Sequence, residues 1–150
     1  MKDFGKCIHY LLVKAEALSL MQPIFRLREN KLPKTKEMIA HFVYAEKMKS
    51  DLILTASLLE VLKDMTDEEV AGAEKLLITY LKALTREANM ARNASGVRRF
   101  QEVSLKIDAV VEQVKRHNYA DAVKLVSEAI SLVTTSGHQA AHALKEKGLI

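Results

Sequence analysis

Apolar residues recur every three or four positions along most of the chain, and this spacing restricts the fold more than any other feature of the sequence. The clearest stripe consists of Val70, Ala73, Leu77, Leu81 and Leu84. Such spacing places side chains on one face of an α-helix. The 150 residues include only five Gly and two Pro, too few for the frequent turns of a β-sandwich or barrel. The sequence therefore predicts an all-α fold.

Helix boundaries follow from this spacing and from local stop and start signals. Pro23 ends the first helix because proline disfavours the α conformation of the residue before it. Gly96 ends a later helix. The chain length is typical of one domain. We predict a single domain over residues 1–150, an antiparallel bundle of about five helices at 3–21, 33–65, 66–94, 97–117 and 119–147.

The strongest local signal is the segment that begins with Thr66. Thr66 and Glu69 have the spacing of a capping box, in which each side chain satisfies a backbone amide of the first helical turn. Three acids follow Thr66 directly, and negative charge is favourable at a helix N-terminus. The sequence therefore predicts a helix that starts here.

Cysteine content and hydropathy bear on location. The single Cys7 excludes a disulfide framework and a four-cysteine zinc site. No apolar run approaches the roughly 20 residues that a membrane-spanning helix needs, and the N-terminal run resembles no secretory signal. We predict a cytoplasmic protein with no membrane contact and no cofactor.

The first two predicted helices are apolar on more than one side. Residues 11–13 and residues 52–54 are consecutive large aliphatic residues. A helix that is apolar all round has to be buried on several sides, and a small bundle has few fully enclosed positions. We therefore predict a two-fold homodimer, the commonest homo-oligomer.

Charge is unevenly distributed. Residues 26–36 have five basic side chains and one acid, whereas residues 51–74 have seven acids and one lysine. Basic clusters can neutralise phosphates and bind nucleic acid, although the chain has no Trp and few aromatics for base stacking. The opposite zones equally suit charge pairing between subunits. The candidate phosphate contacts are Arg26, Arg28, Lys31, Arg98 and Arg99.

Three polar side chains share one face of the last predicted helix. His138 and His142 are four residues apart and Glu146 follows four residues later, a spacing that lets two imidazoles reach one metal ion. The segment from Ala141 to Lys145 resembles the core of histidine phosphotransfer domains, which implies a phosphoryl-accepting His142. Glu146 stands where that family has glycine. We predict a solvated face that binds metal weakly.

No set of residues predicts catalysis. The sequence has no glycine-rich phosphate loop, no nucleophile elbow and no His-Glu-x-x-His helix. We therefore predict a non-enzymatic interaction or scaffold protein that self-associates. A basic subunit that binds nucleic acid is the first alternative, and metal or phosphoryl chemistry at His138 and His142 is the second.

Overall fold

A computed structural model describes residues 34–150, and the predicted helix 3–21 lies outside these residues. The described part is all-helical, with no strand, which confirms the predicted fold class. It contains four helices rather than about five, and each matches a predicted helix to within two residues at either end. Those helices are α1 (Thr35–Lys63), α2 (Asp67–Ser95), α3 (Arg99–Lys115) and α4 (Tyr119–Glu146). A single domain over residues 1–150 stays a prediction.

Local side-chain chemistry explains where α2 begins and ends. Thr66 and Glu69 form the predicted capping box. The Glu69 carboxylate accepts hydrogen bonds from the Thr66 amide at 3.2 Å and from the Thr66 hydroxyl at 2.9 Å. At the other end, Gly96 has a φ of 72° and donates its N–H to the Arg92 carbonyl. Glycine adopts this left-handed conformation without steric cost, and it ends the helix.

Short turns arrange the four helices as a closed antiparallel bundle. Three residues separate each helix from the next, so consecutive helices run in opposite directions. Each helix packs against two others, and α1 closes the ring by packing against α4. The contact between α1 and α4 is the most extensive of the four. Residues Thr35–Ile150 form one compact unit.

The core lies along the bundle axis and is filled by large apolar side chains from all four helices. The largest fully buried ones include Phe100, Met48, Leu52, Leu59, Leu81, Ile107 and Leu144. Between α1 and α4, small residues allow a close approach. A Cβ atom added at Gly137 would lie 3.3 Å from the Ala45 Cβ and 3.1 Å from the Glu46 Oε1. A side chain at position 137 would therefore require Ala45 and Glu46 to shift.

Polar pairs on the outside link neighbouring helices. Lys47 on α1 contacts the Glu87 carboxylate on α2 at 2.6 Å. The Thr85 hydroxyl on α2 donates to Asp108 on α3 at 3.0 Å. Exposed pairs of this kind contribute about 0–1 kcal/mol each, so packing of the apolar core dominates the stability.

Candidate functional site

Helix α1 has apolar side chains on two opposite sides, unlike the other three helices. Its inner side is buried in the core and includes Met48 and Leu52. Its outer side carries large aliphatic residues that are about half exposed, and we call these the α1 outer face: Ile39, Val43, Leu54, Leu58 and Val61. By contrast, α2, α3 and α4 are amphipathic, each with its apolar residues concentrated on one side.

The outer face continues into a groove between α1 and α2. The groove has a volume of about 320 Å³. Leu54, Leu58 and Val61 line it from α1, and Leu76 and Tyr80 line it from α2. Leu76 is 75% exposed, the highest value among the large apolar side chains in the described residues. An extended apolar surface of this kind is typical of an interaction site.

The α1 outer face is nearly symmetric about Ser50. Ile39 precedes Ser50 by eleven residues, and Val61 follows it by eleven. Val43 precedes it by seven and Leu58 follows it by eight. Ser50 itself is small and exposed, and its hydroxyl donates to the Glu46 carbonyl within the same helix. Leu54 departs from this symmetry, because Glu46 occupies the position four residues before Ser50. The outer parts of the face therefore match when one copy is turned end to end.

Charges at the two ends of α1 follow the same symmetry. Lys36 lies fourteen residues before Ser50 and Asp64 lies fourteen residues after it, and both are exposed. Asp67 and Glu68 add exposed negative charge next to Asp64. An antiparallel pair of α1 helices would therefore place unlike charges opposite each other at both ends.

The predicted basic residues lie in different parts of the chain. Arg26, Arg28 and Lys31 lie outside the described residues. Arg98 and Arg99 stand where α3 begins, Arg98 exposed and Arg99 partly buried. Because adjacent helices are antiparallel, the same end of the bundle also contains further basic side chains, namely Lys36, Arg92, Lys145 and Lys147.

The predicted metal-binding residues share an exposed face of α4. His138, His142 and Glu146 are all exposed, and His142 Nδ1 lies 3.7 Å from Glu146 Oε1. Both histidines line a surface pocket of about 450 Å³, together with Lys145. Within residues 34–150, no group of three or more His, Cys, Asp or Glu side chains is placed to hold a metal ion.

Two polar clusters are absent from the sequence-based predictions. In the first, His41 Nε2 on α1 lies 2.6 Å from the Ser136 hydroxyl on α4. The ring also packs edge-on against Phe100, with centroids 5.8 Å apart. Burial, followed by the nearby charge of Arg99, lowers the pKa of His41. Ser136 is 1% exposed and His41 is half-buried, so this pair is a partly buried contact between α1 and α4.

The second cluster joins α2 to the turn between α3 and α4. Glu74 Oε1 accepts hydrogen bonds from the Tyr119 hydroxyl at 2.5 Å and from His117 Nδ1 at 2.8 Å. Burial, and then the hydrogen bond to Glu74, raise the pKa of Tyr119 to about 12. The position of Glu74 was the available signal, because it is an acid one residue after Ala73 on the buried side of α2.

Comparison with known proteins gives no relative from which a role could be inferred. No family model, no curated protein and no solved structure matches the chain. Among the helices in the described part, none is long and apolar enough to cross a membrane. Among the sites in the described residues, the α1 outer face is distinguished by its row of half-exposed aliphatic side chains.

Proposed function

We propose that this chain is a non-enzymatic, cytoplasmic interaction protein that forms a two-fold homodimer through the α1 outer face. The observation that carries the proposal is the apolar face of α1 that no other described helix covers. Removing half-exposed aliphatic side chains from water is favourable in proportion to the area buried. A second copy of α1 offers a surface of the same shape and chemistry.

The symmetry of the face favours a second copy over an unrelated partner. A two-fold axis at Ser50 places Ile39 of one copy opposite Val61 of the other, and Val43 opposite Leu58. Each contact then occurs twice, as isologous interfaces require. The small Ser50 side chain on the axis lets the two helices approach closely.

Charge complementarity supports the same antiparallel register. Lys36 of one copy faces Asp64 of the other at both ends of the interface. A parallel pair would instead bring the acidic ends together, and like charges disfavour association. The paired helices form the centre of the interface, and the grooves beside Leu76 extend it toward the size of a stable dimer, about 800 Å² per partner.

Sedimentation or light scattering at tens of micromolar tests the proposal. We expect twice the chain mass of 16.8 kDa for the unmodified protein and a monomer for the double variant Val43→Glu, Val61→Glu. The matched control is Met90→Glu, Leu105→Glu, which changes two exposed apolar residues on α2 and α3 and leaves the dimer intact. A monomeric unmodified protein would contradict the proposal.

A cysteine pair tests the register separately. In a Cys7→Ser background, Ser50→Cys places two thiols at the two-fold axis, and we expect rapid oxidation to a disulfide-linked dimer. Ser57→Cys provides the control, because it is exposed on the same helix and lies two turns from the axis. Equal cross-linking of both variants would rule out an axis at Ser50.

Nucleic-acid binding is the second candidate, favoured by the basic side chains that lie at the same end of the bundle as Arg98 and Arg99. Such a surface binds phosphates with an affinity that falls steeply as salt increases. We expect Arg98→Ala, Arg99→Ala to weaken binding to mixed RNA and DNA and to reduce the salt dependence. Lys63→Ala, Lys75→Ala is the control, since these lysines lie toward the opposite end. No band shift at about 50 mM salt would eliminate this candidate.

A further inference from the structure

The Glu74 cluster selects one tautomer of the neutral form of an exposed imidazole. A carboxylate only accepts hydrogen bonds, so the neutral His117 ring carries its proton on Nδ1, where it donates to Glu74. The remaining nitrogen, Nε2, is then a hydrogen-bond acceptor. Glu74 is 8% exposed, whereas the His117 side chain is 66% exposed. The buried acid therefore orients an acceptor toward the surface.

His117 lines a pocket at this end of the bundle. The pocket has a volume of about 450 Å³ and lies among the last turn of α1, the first turn of α2 and the start of α4. Leu62, Met65 and Val70 form its apolar wall, and Asp67 and Tyr119 contribute polar groups. Pockets of this size, with an apolar wall and a few polar groups, are typical of small-ligand sites.

Acidic residues outnumber basic ones around the pocket, and the exposed Arg116 directly precedes His117. Residues 64–74 contain five acids and no basic residue, namely Asp64, Asp67, Glu68, Glu69 and Glu74. Lys63, the cation that lines the pocket, contacts Glu60 at 2.7 Å. The pocket lining thus includes one carboxylate, Asp67, and one imidazole, His117, beside an apolar wall and within an excess of acidic residues.

We propose that this pocket binds a small organic ammonium ion with an apolar chain. The ammonium group donates to His117 Nε2 and to the Asp67 carboxylate, and the chain packs on Leu62, Met65 and Val70. A carboxylate ligand of the same length would place its negative charge against Asp67 and would present no donor to Nε2. The residues that line this pocket do not include any of the five residues of the α1 outer face, so the inference does not require self-association.

Nitrogen NMR of the histidine rings, recorded on the full chain near pH 7.5 with hexylamine as the probe, tests the proposal. We expect a saturable change at His117 Nε2 with an affinity on the order of millimolar, as suits a ligand of this size. Hexanoate and hexanol are the matched probes, and we expect neither to saturate the site. No saturable change with hexylamine, or an equal response to hexanoate, would overturn the proposal.

Two variants assign the roles of the residues. Asp67→Asn removes the negative charge of the carboxylate and keeps an acceptor oxygen. We expect this variant to weaken hexylamine binding about fivefold. Asp64→Asn changes the net charge equally but does not line the pocket, so we expect it to change affinity less than twofold. Equal effects of the two variants would show a diffuse charge effect and would overturn the assignment of Asp67.

Glu74 acts as a positioning residue, and Glu74→Gln tests this role. A glutamine amide can donate to Nδ1, which lets the proton move to Nε2 and removes the acceptor. We expect the ring nitrogens of His117 to report this change of tautomer and hexylamine affinity to fall. A variant that stays folded and keeps both the tautomer and the affinity would contradict the role of Glu74.

Discussion

His41 and Ser136 are 95 positions apart in the sequence, yet their side chains meet at 2.6 Å where α1 packs against α4. The contact lies next to the crossing at which Gly137 approaches Ala45. A titratable ring is thus placed inside the most extensive helix contact of the bundle, which makes this contact sensitive to protonation.

We expect the stability of the bundle to decrease as the pH falls below 6.5, the ordinary pKa of histidine. Burial and Arg99 lower the pKa of His41 in the folded state, so the unfolded chain binds the proton more readily. The contribution of His41 is therefore complete above pH 6.5 and is lost as the pH falls toward the lowered pKa. Thermal melting between pH 8 and pH 5.5 measures this loss.

The variant His41→Gln keeps a hydrogen-bonding side chain but cannot titrate, so we expect a flatter dependence of melting temperature on pH. His138→Gln, at an exposed position of α4, is the control and keeps the original dependence. The carboxylates with lowered pKa values, Glu69, Glu112 and Glu128, titrate below their ordinary value of 4.5, outside this pH range. Identical slopes for the two variants would refute the role of His41.

A larger side chain at Gly137 is expected to destabilise the bundle. Gly137→Val would push its methyl groups into Ala45 and Glu46 of α1, and we expect a loss of about 1–3 kcal/mol in the free energy of unfolding. Gly72→Val is the matched control, because nothing lies within 4 Å of an added Cβ on that exposed part of α2. There we expect a change of less than about 0.5 kcal/mol. Urea denaturation measures both, and equal effects would show that the α1–α4 crossing is not tight.

Thr66 is expected to stabilise the start of α2. Thr66→Ala removes the hydroxyl that donates to Glu69 and weakens the cap, at a cost of about 1 kcal/mol. The hydroxyl is also the largest cause of the lowered Glu69 pKa, so we expect that pKa to rise in the variant. Carboxyl NMR titration measures the rise. Thr66→Ser retains the hydroxyl and both properties, and an unchanged Glu69 pKa in Thr66→Ala would contradict this account of the cap.

His138 and His142 are expected to bind Zn²⁺ or Ni²⁺ only weakly. Both rings are exposed, and the third candidate ligand, Glu146, lies 3.7 Å from His142. Protons compete with metal ions for the ligand nitrogens, so we expect metal binding to weaken as the pH falls. We expect a chelator to leave the melting temperature unchanged. A chelator-induced loss of stability that His138→Ala, His142→Ala abolishes would show that folding depends on metal at these residues.

The sequence predicts the helices well because their signals are local. The spacing from Val70 to Leu84, the capping box at Thr66 and the stop at Gly96 each depend on residues within a few turns of one another. Helix α4 runs without interruption through residues 134–137, as its unbroken apolar spacing predicts. Periodicity also indicated the second apolar side of α1, because consecutive aliphatic residues cannot all face one core.

The partners within the polar clusters have no such local signal, although the position of Glu74 beside the apolar stripe of α2 marks that acid as buried. Glu74 meets His117 and Tyr119 only because α2 and the α3–α4 turn are brought together by the bundle. His41 and Ser136 similarly belong to the first and last of the described helices. Spacing assigns a residue to a face of its own helix, whereas the partner across the core depends on how the helices pack. Sequence reasoning therefore found the surface of α1 and missed the Glu74 cluster.

The contact between α1 and α4 has a consequence for how the protein is made. Glu146 lies 83 residues after Lys63. Because ribosomes add about 5–20 residues per second, α4 is complete about 4–17 s after α1. During this time the side of α1 that α4 will cover, around Ala45, stays open to water and to other nascent chains. The bundle therefore closes only when α4 has been synthesised. A ribosome that pauses before Tyr119 would leave the apolar side of α1 exposed, and exposed apolar surface of this kind is what chaperones bind.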